Sequence, residues 1–146
     1  MSLSTVIAIT SPIMKLAGEV VADLKRQESS KIDLAQLDLQ RTVLTERFED
    51  CKEELQRFVA QDKARAEQDL ITRGLGNTTV LDSKRSAIDR EAANELSKAT
   101  REVNRALELI ALLERQAKER AASLFKKILV WCGRVFGIRN RPAKAR

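Results

Sequence analysis

The sequence predicts an all-α protein, a long antiparallel helical hairpin of coiled-coil character, assembled into an oligomeric helical bundle. Three observations predict it. Ala, Leu, Glu, Lys, Arg and Gln dominate a chain of 146 residues that is 33% charged and 3% aromatic and holds only five Gly and two Pro, the profile of long helices. Apolar residues recur at alternating spacings of three and four along most of its length, the rhythm that lines one face of a helix. One strong breaker, Arg73-Gly74-Leu75-Gly76-Asn77-Thr78-Thr79-Val80, interrupts that rhythm in mid-chain, and a short Gly-containing turn between two helices folds them back on each other. Val, Ile, Thr and the aromatics are too dispersed for a sheet. Bulky apolar mass is too scarce to fill a compact core, so one narrow seam per helix is expected.

Residues 1–30 read as an N-terminal amphipathic helix. Ser11-Pro12 is a start signal, Ser as cap and Pro at the first helical position. Ile13, Leu16, Ala17, Val20, Val21 and Leu24 then line one face. Gln27-Glu28-Ser29-Ser30 weakens the pattern, because Ser competes for local backbone bonds; the helix is expected to continue into the next segment or to kink there. The first hairpin arm, 31–72, carries a heptad seam of Leu34, Leu37, Leu44, Phe48, Cys51, Leu55 and Phe58, with Arg41 at one core position. Asp62 falls at another, and the seam drifts to Val59, Ala66 and Leu70, a stutter or a change of neighbour. The turn occupies 73–81. Gly74 suits the left-handed residue that ends a helix, and Gly76-Asn77 reads as a turn. Asp82 is the expected cap of the second arm, 82–123. There Ala92, Leu96, Ala99, Val103, Ala106, Ile110, Leu113 and Ala117 form the seam, and Leu107, Leu109 and Leu112 widen it, which calls for more than one neighbour.

Residues 124–146 form a basic amphipathic segment and tail. The last 26 residues hold seven Lys or Arg and no Asp or Glu, against a balance of −3 over residues 1–72 and +2 over 73–120, so the net +6 is a property of the tail. The chain's only Trp and two of its four Phe are here. On a helical wheel Leu124, Phe125, Ile128, Trp131, Cys132, Val135 and Phe136 lie opposite Lys126, Lys127 and Arg134. Such a helix either extends the seam onto Ile13–Leu24 or meets an anionic membrane surface or an apolar protein groove. The expected contact residues are Phe125, Lys126, Lys127, Trp131, Arg134 and Phe136, with Arg139, Arg141, Lys144 and Arg146 as an anion-attracting tail. That tail also suits nucleic-acid phosphates, read without sequence preference. Gly133-Arg134-Val135-Phe136-Gly137 is formally GxxxG but reads as helix termination in so short and basic a segment.

Nothing in the sequence points to catalysis. There is no His and no Tyr, which removes the usual general base and imidazole ligand. Glu49-Asp50 and Glu53-Glu54 have Lys52 and Arg57 within ion-pair reach, a solvated charged face. Gly74-Leu75-Gly76 lacks the Lys and third Gly of phosphate-binding loops. Cys51 and Cys132 are far apart, with no CxxC; a reducing compartment is expected and Cys51 reads as a seam residue. The N-terminus lacks a positive leader region, and no uninterrupted run nears the ~20 apolar residues of a spanning helix. The expected protein is thus a non-enzymatic structural or adaptor protein, cytoplasmic or peripheral at the inner face of a membrane. Its expected partners are copies of itself and an anionic membrane surface or a larger protein assembly, with no cofactor, metal or small-molecule substrate. Pivoting at Gly76 would set residues 13–24 beside 128–139 at the open end.

Residues 73–110, with Gly74, Val80-Leu81-Asp82, Ala87 and the Ala-spaced helix that follows, resemble the turn and second helix of an outer-membrane efflux-channel hairpin over about a quarter of the chain. The resemblance implies a hairpin geometry and no particular function.

Overall fold

The computed structural model describes residues 3–27 and 33–135, and these form three helices, α1 (Leu3–Arg26), α2 (Leu34–Thr72) and α3 (Thr79–Val135), with no strand among the described residues. The protein is all-helical. At 1.5 Å per residue α1 is about 36 Å long, α2 about 58 Å and α3 about 86 Å.

Each helix packs against the other two. Between α2 and α3, Glu67 pairs with Arg85, Lys63 with Asp89 and Arg41 with Glu114, so residue numbers fall along one helix as they rise along the other. α1 lies in the groove between them. Its buried residues Val6, Thr10, Ile13, Ala17, Val20 and Leu24 alternate at spacings of four and three, an apolar stripe of helical period. Ile13, Ala17, Val20 and Leu24 share one core with Leu37, Leu44 and Cys51 of α2 and Ala99, Val103, Ala106 and Ile110 of α3. Val6 adds a smaller cluster with Leu55 and Ala92. Of the residues expected to widen the α3 stripe, Leu107 and Leu109 pack on that core beside the seam residue Leu113, whereas Leu112 stays exposed.

This arrangement corrects several expectations. α1 neither runs on into α2 nor extends it as a kinked arm: it folds back along both other helices. Residues 13–24 meet residues 99–110 and not 128–135, the described part of the segment expected there. A contiguous core does form, because Ala17, Ala99 and Ala106 are at most 1% exposed: small side chains let the axes approach closely, and three narrow stripes together fill the space that two could not. Pro12 does not start the helix but sits inside it, on the exposed side. A mid-helix Pro removes one backbone hydrogen bond; the stripe it interrupts in sequence runs past it unbroken, with the Thr10 hydroxyl donating back to Val6 O at 3.1 Å. By length and composition α1 is also apolar enough to cross a membrane, contrary to the count of uninterrupted runs, since its Ser, Thr and Gly dilute hydropathy without adding charge; its stripe is instead buried in the bundle.

The mid-chain turn is built as expected. Gly74 has φ +76°. Its N–H donates to Ile71 O at 2.9 Å and the Leu75 N–H to Leu70 O at 2.8 Å, the paired bonds of a Schellman termination with Gly74 in the left-handed position. Alanine at Gly74 would cost about 1 kcal/mol of backbone strain. At Gly76 a Cβ would lie 2.8 Å from Ile71 Cγ1, so the exposed Ile71 side chain would have to shift to admit one. α3 starts at Thr79 and not after Asp82, which sits in its first turn, where a carboxylate favours the positive end of the helix dipole. The start of α2 is capped by Asp33, whose Oδ1 accepts the Ala35 N–H at 3.0 Å.

Of the predicted heptad on α2, Leu37, Leu44, Cys51 and Leu55 are buried and Phe48 and Phe58 pack on the core, whereas Leu34 at the start of the helix is exposed. Arg41, the odd residue of that seam, is the one that pairs with Glu114. Asp62, the second, keeps a buried Oδ2 with no hydrogen-bond partner. The paired acids are a charged face as expected, with Glu49 to Lys52 at 2.6 Å and Glu53 to Arg57 at 3.2 Å.

Candidate contact surface at the end of α3

α3 is longer than anything it packs on. Its buried residues end at Ile110. The Arg41–Glu114 pair sets the register, and counting back along α2 to its first residue, Leu34, places that end opposite about Ala121. α1 ends on the same side of the molecule, with Leu24 in the cluster that holds Leu37 and Ile110. Beyond this level α3 continues from about 122 to Val135 without either of the other two helices beside it, over roughly 21 Å. No separate nucleation is needed, because each added residue only extends a helix already formed in the bundle.

The face this overhang carries is the seam itself. Five turns of helix take 18 residues, so Leu124 and Ile128 stand in line with Ala106 and Ile110, and Trp131 and Val135 with Leu113 and Ala117. The stripe that buries against α1 and α2 lower down thus runs on past their ends with no described residue covering it. Leu124, Phe125, Ile128, Leu129, Val130, Trp131 and Val135 are between 55 and 62% exposed. Of the two sequence readings of this segment, packing onto Ile13–Leu24 is excluded by the core those residues already occupy.

The structure places Phe125, Lys126, Lys127, Trp131 and Arg134 together on this one helix, all exposed. No described residue forms an ion pair with Lys126, Lys127 or Arg134. Phe136 and the tail residues Arg139, Arg141, Lys144 and Arg146 lie outside the described residues. Gly133 does not end α3, which runs through it to Val135. Sequence reasoning missed Leu129 and Val130 as contact residues. Their signal was their place in the apolar run Ile128–Val130 beside the Trp; Val130 falls on the wrong side of the wheel for a seam and is exposed for that reason.

Elsewhere the surface offers less. A mostly apolar cleft of 300 Å³ between α2 and α3 is lined by Leu55, Val59, Ala92 and Leu96, with the Lys52 and Lys63 stems at its edge. It is a gap between two helices, with no α1 residue in its lining. Glu95 is a buried carboxylate, but Lys98 donates to it at 2.6 Å. Among the described residues no group of three His, Cys, Asp or Glu is placed to hold a metal.

The two thiols differ. Cys51 is buried, and its Sγ donates to Ile9 O of α1 at 3.4 Å. Burial pushes the Cys51 thiol up, and the Glu54 carboxylate adds to the shift. Since the thiolate is the nucleophile, a chromogenic thiol reagent at neutral pH is expected to titrate Cys132 quickly and Cys51 only on unfolding. Two equally fast thiols in the native protein would contradict the packing of α1 over Cys51.

No family model, no curated protein and no solved structure matches this chain. The likeness to efflux-channel hairpins finds no support there.

Proposed function

We propose that the chain is a non-enzymatic structural or adaptor protein: a self-assembling, antiparallel, coiled-coil-like helical module whose projecting end contacts a membrane surface or a protein partner. One observation carries this reading. The overhang of α3 holds Leu124, Ile128, Trp131 and Val135 in water, in phase with the core stripe, with Phe125 and Leu129 exposed beside them, and a contiguous exposed apolar face on a helix marks an interaction site. The bundle behind it supplies a stand, fixed by three mutually packed helices. Self-association is supported by the further apolar residues left in solvent, Leu39 at 63% and Leu112 at 49% among them. The need for a partner is smaller than a two-helix arrangement would impose, since α1 closes the main seam.

Light scattering tests the assembly. The full chain is expected to form a discrete oligomer, and a chain ending at Ser123 to keep it, because the bundle carries the association and the overhang is left for the contact. A monomer at high concentration in both would remove self-assembly from the function. An oligomer lost on shortening would assign the overhang to self-association.

A further inference from the structure

We infer that the overhang of α3 docks on an anionic lipid surface, an inference that rests on the contact role proposed for this end and names its partner. At 100° per residue, Trp131, Val135, Leu124, Ile128, Cys132, Phe125 and Leu129 fill an apolar arc of about 160°. Lys126, Lys127, Arg134, Gly133 and Ser123 occupy the rest, and Val130 is the one apolar residue among them. The arc is wider than a seam of a and d positions needs. It matches a helix whose apolar side sinks into the boundary between headgroups and acyl chains while its cations stay at headgroup level. Lys127 borders the arc next to Trp131, where a long stem can reach back to the phosphates. An indole ring is itself favoured at that depth.

Charge decides between occupants. After Glu119 the chain has no acidic residue, while Lys126, Lys127 and Arg134 stand on the overhang. A second copy laid on this face would bring the same cations and no acid to meet them. A nucleic acid would engage the cations and leave the apolar arc in water. An anionic bilayer answers both halves of the helix at once, with each cation near its surface strengthening binding about fivefold.

The test uses the full-length protein with vesicles of phosphatidylcholine alone and of phosphatidylcholine with phosphatidylglycerol. Trp131 is the only Trp and there is no Tyr, so the emission reports this face. A blue shift, protection from an aqueous quencher and co-sedimentation are expected with the phosphatidylglycerol vesicles, with binding at least tenfold weaker to the neutral ones. K126Q/K127Q changes two exposed side chains outside the bundle. It should leave the thermal melt unchanged and weaken binding to anionic vesicles by about tenfold or more. The proposal is overturned by no binding to either vesicle, by equal binding to both, or by binding indifferent to K126Q/K127Q. It is overturned as well by a blue shift that appears without lipid and grows with protein concentration, which would give this face to a second copy and leave its contact role standing. The oligomer measured by light scattering is independent of all these outcomes.

Discussion

Truncating Leu44 to alanine is expected to destabilise the bundle by about 2–5 kcal/mol, the range for emptying a leucine-sized site in a close-packed core. Leu44 is fully buried in the cluster that all three helices share. Its removal therefore loosens α1 and α3 as well as α2. Urea denaturation followed by helical circular dichroism measures the effect as a lower midpoint at unchanged slope. Leu39 lies five residues earlier on the same helix and is 63% exposed. Leu39→Ala is expected to stay within about 0.5 kcal/mol of the parent. Equal effects at the two positions would mean that α2 does not present the face assigned to it.

Ala17→Glu should have the larger effect of the two. Ala17 is 1% exposed and sits where α1 is pressed between α2 and α3. A carboxylate there would be buried without a partner, at a cost of several kcal/mol. The cheapest relief is for α1 to leave the groove, since the described cross-links from Glu67, Lys63 and Arg41 to α3 do not involve it. Helix content should fall only in part. Cys51 should become reactive, because Ile9 of α1 holds its Sγ. A Cys51 that stays protected in Ala17→Glu would place α1 elsewhere. Ala8→Glu, at an exposed position of the same helix, is the matched control.

Much of this was legible in the residues. The heptad from Leu37 to Leu55, the Gly74 termination and the Ala99–Ile110 stripe are local patterns, and local patterns survive folding when nothing opposes them. The place of α1 was not legible in the same way. An apolar stripe states that a helix is covered on one side and does not name the cover: residues 99–110 and 128–139 offered similar faces. What separates them is the register at the α1–α2 junction. α1 ends at Arg26 and α2 begins at Leu34, so a reversal there puts Leu24 level with Leu37 and leaves residues 128–135 out of reach. The upstream half of α1 was hidden by Pro12, which reads as a boundary. Val6 and Thr10 carry the four-three rhythm through it and were the available sign. The core itself was underestimated because alanine counts for little in bulk and for much in how near two axes can come. The overhang was legible as a basic, aromatic-bearing amphipathic segment; its exposure was not, since that depends on where the other two helices stop.

That stopping point forms a step. The apolar line on the tip of α3 faces the side on which α1 and α2 lie, one helix thickness or about 10 Å below the axis of α3. A flat sheet of lipid cannot touch the tip along its whole length while the shoulder stands in the way. In the lipid docking proposed above, a projecting arm of roughly 21 Å and a drop of about 10 Å would require the molecule to lean by about 25° for tip and shoulder to touch down together. Lys25 and Arg26, exposed in the last turn of α1, would then stand at that shoulder as a second foot, with the rest of the protein held up from the surface at a fixed slant.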